Sequence, residues 1–98
     1  MTNNNESLNL RLIWEDPNSG EKMDRTFSLP ISIGRDVSNK VVLAETSVSR
    51  FHAQIDIENG QVILKDLQSS NGTVLNGQNI NDRTGLSEGD ELRVGNTT

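Results

Sequence analysis

An all-β sandwich of two mainly antiparallel sheets is what this chain of 98 residues predicts. Three observations carry the expectation. Short stretches alternate apolar and polar residues with a period of two, as half-buried strands do. Turn formers separate them, including the Asn-Gly pairs at residues 59–60, 71–72 and 76–77. No stretch of helix length carries an apolar stripe of period 3.6. Hydrophobic residues make up 32%, with one Trp, two Phe and no Tyr. That implies a thin core of Leu, Ile and Val, which two facing sheets can bury, and the length suits one domain.

Taken in order, residues 1–7 are polar and Asn-rich and are expected to form a disordered tail, with a single domain over residues 8–98. Leu8, Leu10, Leu12 and Trp14 alternate with Asn9 and Arg11, a half-buried strand, and Asp16 to Gly20 is a turn. Arg25 to Leu29 is a second strand with Phe27 and Leu29 on one face. After Pro30, Ile31 and Ile33 form a short strand that delivers Gly34-Arg35 at its end; Asp36 to Lys40 is polar loop and Val41 to Leu43 a short apolar strand. Phe51, Ala53, Ile55 and Ile57 alternate with His52, Gln54, Asp56 and Glu58, the clearest strand in the chain. Asn59-Gly60 then predicts a type I′ hairpin turn, because both residues tolerate positive φ. Gln61 to Leu67 returns, Thr73 to Leu75 is a strand bracketed by Asn-Gly pairs, and Glu91 to Val94 alternates again after the turn at Ser87 to Asp90.

Composition excludes several function classes. Without cysteine there is no disulfide or thiolate chemistry, and with one histidine there is no zinc ligand set. No nucleotide-type phosphate loop is present, and no stretch approaches the roughly 20 apolar residues that span a bilayer. A net charge of −5 argues against nucleic acid as a partner. The expectation is a cytoplasmic monomer without cofactor or metal. Against this acidic background, Arg35, Lys40 and Arg50 fall between Gly34 and Phe51, a span with only two acids, Asp36 and Glu45. A basic spot on an acidic body can select an anionic group.

Three signatures equip such a spot. Arg35 follows a glycine at a strand end, and its planar fork can hold two phosphate oxygens. In Ser49-Arg50-Phe51-His52, Ser49 offers a hydroxyl and Arg50 a second charge, while strand parity puts His52 on the face opposite Phe51. Ser49 and His52 invite comparison with a nucleophile pair. A triad needs an acid beside the histidine, however, and Asp56 lies about 13 Å along the strand. His52 is therefore read as a structural tie. In Ser69-Ser70-Asn71-Gly72-Thr73, the Ser70 hydroxyl can complete an anion site and the Asn71 amide can bond a peptide main chain at both ends. Asn76-Gly77 reads as a plain turn, with Asn76 stitching neighbouring loops.

Together, Gly34-Arg35, Ser49-x-x-His52, Ser70-Asn71-Gly72 and Asn76-Gly77, in this order and spacing, resemble the forkhead-associated (FHA) family, its bacterial-style members especially. The resemblance covers about Leu8 to Val94. It implies an eleven-stranded β sandwich whose loops at one end bind phosphothreonine peptides in Ser/Thr kinase signalling, without catalysis. Arg35, Ser49, Ser70 and Arg50 match phosphate contacts, and Asn71 matches the residue that holds the peptide main chain. Gly34, His52 and Gly72 match positions that shape the loops, and Asn76 is read as structural in the same binding loops. Lys40 stands where the family pattern often has an acid, which is expected to make the loop more basic. The final strand expected after Asn96 is absent or short, as in a fragment of a longer protein or a sandwich closing without it. The competing function is a phosphate-independent scaffold.

Overall fold

The computed structural model describes residues 8–98, so the tail expected over residues 1–7 lies outside the described residues. Ten strands follow one another: β1 (Asn9–Glu15), β2 (Lys22–Ser28), β3 (Ile31–Gly34), β4 (Val41–Val42), β5 (Ala53–Glu58), β6 (Gln61–Asp66), β7 (Thr73–Leu75), β8 (Gln78–Asn79), β9 (Arg83–Gly85) and β10 (Leu92–Val94). Among the described residues there is no helix.

Five strands form one sheet in the order β4-β3-β5-β6-β9. Its β3–β4 pair is parallel, with Ile33 opposite Val41, and its other pairs are antiparallel. Facing it are the β1–β2 hairpin and the three-stranded sheet β10-β7-β8. Two sheets were expected; the second layer is instead two separately hydrogen-bonded groups. Ile31, Ile33, Ala53, Ile55 and Leu64 of the five-stranded sheet are buried. Leu10, Leu12, Trp14 and Phe27 from the hairpin, with Leu75 and Leu92 from the small sheet, pack against that core. Burying a Leu, Ile or Val side chain contributes about 1.5–3 kcal/mol, so this thin core is the main cohesive term. Between β1 and β10 the second layer stays open as a groove of about 400 Å³ floored by Ile33, Val41 and Leu43. After β10 the chain turns at Gly95 and forms only the Val94–Thr97 bridge.

Strand parity fails at one instructive place. Ladder pairing of β5 begins at Ala53, so Phe51 lies outside the pleat and is 50% exposed, while His52 is fully buried. Both positions reverse the expectation from alternation. The reason is that the His52 amide already bonds the Ile33 carbonyl (2.9 Å) while Arg50 belongs to the preceding loop. The ring is thus turned inward at the junction.

The two remaining hairpins end in the turns their sequences predict. Asn59 and Gly60 have φ of 52° and 79°, and Asn76 and Gly77 have 52° and 85°, as type I′ turns require. On the outward face of the large sheet, Lys65 pairs with Asp56 (3.0 Å) and Glu58 (2.8 Å), and Arg83 with Glu58 (2.5 Å). Such half-exposed pairs contribute little to stability, typically about 0–1 kcal/mol each.

Candidate functional site

Three segments converge where β3 ends and β5 and β7 begin. Gly34 terminates β3 under the loop that carries Arg50. A Cβ built on Gly34 would lie 2.1 Å from the Arg50 carbonyl oxygen, so no side chain fits there. The close approach lets the Arg35 and Asp36 amides donate to the Ser49 and Arg50 carbonyls (3.0 and 3.1 Å). Asn39, buried behind them, donates its side-chain amide to both the Asp36 and Arg50 carbonyls (2.8 Å each). The sequence gives Asn39 no role of its own within the polar loop Asp36 to Lys40; burial in the folded loop supplies one.

Arg35 is held at one point and free at the others. Its Nε donates to the Val48 carbonyl (2.9 Å), and among the described residues its two terminal nitrogens have no hydrogen-bond partner. A guanidinium anchored through Nε presents the outer edge of its fork, the edge that matches two oxygens of a phosphate.

His52 joins the loop before β5 to the loop before β7. Its Nδ1 accepts from the Ser49 amide (3.0 Å), and its Nε2 is 2.8 Å from the Gly72 carbonyl, so Nε2 carries the proton and donates. Both ring nitrogens are therefore occupied by main chain. Neither reaches the Ser49 hydroxyl, so the pair has no nucleophile–base geometry. The Ser49 Oγ instead accepts from the Ser70 amide (3.0 Å), which leaves its own hydrogen available to donate.

The loop carrying Ser70 and Asn71 is organised by Asp66, a residue with no distinguishing mark in the sequence. Its carboxylate accepts from the Ser69 hydroxyl (2.6 Å), the Ser69 amide (3.2 Å) and the Thr73 hydroxyl (2.7 Å). Ser69 Oγ in turn accepts from the Gly72 amide (2.9 Å), and Gly72 adopts φ 81°. Burial pushes the Asp66 carboxyl up, but the Ser69 and Thr73 bonds outweigh it and hold the group below the ordinary carboxylate range. Asp36, at the edge of the same site, is also held low, first by the Ser38 hydroxyl and amide and less by the Arg50 charge.

Arg35, Ser49, Arg50, Ser70 and Asn71 all line one open cleft of about 460 Å³. Arg35, Arg50, Ser70 and Asn71 are exposed and Ser49 is half-buried. Asn71 donates to the Ser47 carbonyl (2.8 Å), so one of its N–H groups is committed within the chain while its Oδ1 remains without a partner among the described residues. Two sequence-based expectations are corrected. Lys40, expected to make its loop more basic, stands outside the cleft: its ammonium donates to the Ser28 and Pro30 carbonyls (2.8 Å each), tying the β2–β3 connection. Asn76 is not part of the cleft loops. It follows Leu75 at the end of β7 remote from Thr73, where its side chain bonds Asp90 (3.0 Å) and the Glu91 amide (2.8 Å).

A family model described as FHA domain matches residues 31–95, which contain every cleft residue named above. An FHA domain-containing protein of Arabidopsis thaliana is 32% identical over 93 residues, covering 91% of this chain and 24% of that protein. The glycogen accumulation regulator GarA of Mycobacterium tuberculosis is 32% identical over 88 residues, covering 88% of this chain and 52% of GarA. This chain thus spans about half or less of these curated relatives. Among solved structures, the N-terminal FHA domain of S. cerevisiae Rad53p in complex with a phosphothreonine peptide superposes with a TM-score of 0.73 at 27% identity. The match covers 90% of this chain and 82% of that one.

Proposed function

The chain belongs to the FHA domain family, and we propose that residues 8–98 act as one phosphothreonine-peptide-binding module in Ser/Thr kinase signalling. The observation that carries the proposal is the Arg35 fork, pinned through Nε to Val48 and open at its outer edge. It stands in one cleft with Arg50 and the hydroxyls of Ser49 and Ser70. Phosphothreonine brings about −1.5 to −2 charges and three acceptor oxygens near neutral pH. Arg35, Ser49, Arg50 and Ser70 supply the donors, and Asn71 Oδ1 is available to a peptide amide. A solved FHA domain with a phosphothreonine peptide supports the ligand class.

The site is suited to binding rather than to a reaction, since His52 is tied by main chain on both ring nitrogens. Absence of cysteine suits a reducing cytoplasm, where kinases and their substrates meet. A monomer suffices, as one chain supplies the whole cleft. Selection of threonine over serine by contact alone is worth about 0.8 kcal/mol for one methyl, or about fourfold.

Calorimetric titration with a phosphothreonine peptide pool, beside its phosphoserine and unphosphorylated counterparts, tests the proposal. Two charge-assisted hydrogen bonds contribute at least about 3 kcal/mol, so Arg35→Ala is expected to weaken binding by at least about a hundredfold. Undiminished affinity in the folded variant would overturn the assignment of Arg35. Partner association indifferent to phosphatase treatment would establish the phosphate-independent scaffold instead.

A further inference from the structure

The cleft has a wall that phosphate recognition does not use. Four large apolar side chains are exposed among the described residues: Ile13, Val37, Phe51 and Leu67. Two of them, Phe51 and Leu67, line the same cleft as Arg35 and Ser49. Phe51 is 50% exposed and Leu67 38%. Single exposed apolar residues are ordinary on any surface, but two converging on a cleft otherwise lined by arginines, hydroxyls, an amide and the buried Val48 are not explained that way.

Both are carried by fixed backbone. Phe51 lies between the Arg50 carbonyl, which accepts from Asp36 and Asn39, and the His52 amide, which bonds Ile33. Leu67 extends the β5–β6 ladder by one rung, its amide bonding the His52 carbonyl (2.9 Å), before Gln68 turns the chain at φ 58°. An aromatic ring and a leucine on rigid supports lose little freedom when a ligand covers them, which is the condition for an anchoring contact. No acidic side chain lines this cleft, and Asp36 at its edge is turned to the Ser38 amide and hydroxyl.

We infer that Phe51 and Leu67 form an apolar shelf that selects a large aliphatic or aromatic residue beside the phosphothreonine of the bound peptide. The inference rests on the phosphothreonine function proposed above. It assigns to Phe51 and Leu67 a selectivity role separate from the anion contacts of Arg35 and Ser49.

The test is a set of phosphothreonine peptides in a neutral Gly/Ser/Ala background. Leu, Gln or Asp is placed in turn at each of the three positions on either side, and each peptide is titrated into the 98-residue chain. At one position Leu is expected to bind about tenfold more tightly than Gln, the scale of burying one aliphatic side chain on an open surface. Phe51→Ala and Leu67→Gln should each collapse that ratio toward one, while Phe51→Leu retains most of it; thermal melting checks that each variant is folded. Phosphate-dependent binding with no position giving more than about a twofold Leu preference overturns the shelf and leaves the phosphothreonine function standing. A preference that survives both substitutions places the selective contact elsewhere and also overturns it. No phosphate-dependent binding by any peptide removes both.

Discussion

At Asn59-Gly60 the chain reverses in two residues, each at positive φ, between strands paired up to Glu58–Gln61. Nothing lies within 4 Å of where a Gly60 Cβ would sit. At the opposite end of β5 the cleft loops also reverse the chain, but side chains distant in sequence fix their main chain. Asn39 holds Arg50 from eleven residues away, His52 holds Gly72 from 20, and Asn71 holds Ser47 from 24. One turn is written in its own dihedral preferences. The cleft loops exist only once the sandwich has brought those partners together, and the residues left over from that bracing are the ones that face a ligand. Asn76-Gly77 is intermediate, a type I′ turn whose Asn side chain is also bonded to the 90–91 segment.

The same substitution made in both regions sharpens the contrast most. Gly34→Ala forces a Cβ against the Arg50 carbonyl, and neither backbone can yield without breaking the Asn39 bonds. We expect a loss of about 3 kcal/mol or more, or no folded protein at all. In a domain of this size each kcal/mol lowers Tm by about 4–8 °C, so thermal unfolding reads it directly. Gly60→Ala meets open space and only the left-handed φ penalty, about 1–2 kcal/mol. Equal losses at the two glycines would break the distinction.

His52→Ala comes next. It removes the ring and leaves the Ser49 amide and the Gly72 carbonyl without partners, which should cost about 2–4 kcal/mol by chemical denaturation. Phosphopeptide affinity should fall as a consequence of loosened loops. A variant of full stability that has lost binding would instead make His52 a ligand contact.

Asp66→Asn is expected to cost about 1–3 kcal/mol at pH 7, since the amide cannot accept from Ser69 and Thr73 as the carboxylate does. The sign of its pH dependence follows from a folded-state pKa lowered below the unfolded value. The stabilisation is fully present above the unfolded value of about 4 and is lost as pH falls through the lower folded value. The stability gap between parent and Asp66→Asn should therefore narrow from pH 7 to pH 3; a gap that widens on acidification would contradict the assignment. The smallest effect belongs to Asn59→Gly, expected within about ±0.5 kcal/mol with affinity unchanged.

Much of the fold was legible because it is local. Alternation located β1, β5 and β10, and the Asn-Gly pairs at residues 59–60 and 76–77 located two hairpins, since period and φ preference are properties of neighbouring residues. The parallel β3–β4 pair, β9 and the split second layer carry no such mark. Phe51 and His52 exchanged places relative to parity because the ladder starts at Ala53, two residues later than the alternation beginning at Phe51 implies. The cleft residues Arg35, Ser49, Arg50, Ser70 and Asn71 were identifiable by residue type and by resemblance, and the structure brings all five to one cleft. Asn39 and Asp66 carried no assigned role, because what distinguishes them is which groups they reach after folding, carbonyls for Asn39 and hydroxyls and an amide for Asp66. Lys40 shows the reverse error, a charge that counts in sequence but is turned to the Ser28 and Pro30 carbonyls.

Amide chemical shifts during titration with a phosphothreonine peptide test the central claim most directly. If the braced end of the sandwich is the phosphothreonine site, the largest changes fall at Arg35, Ser47 to Phe51 and Ser70 to Gly72. Asn59, Gly60, Asn76 and Gly77 should stay still, and the unphosphorylated peptide should move nothing. Changes centred on the far turns or on the β1–β10 groove, or equal changes with both peptides, would contradict it.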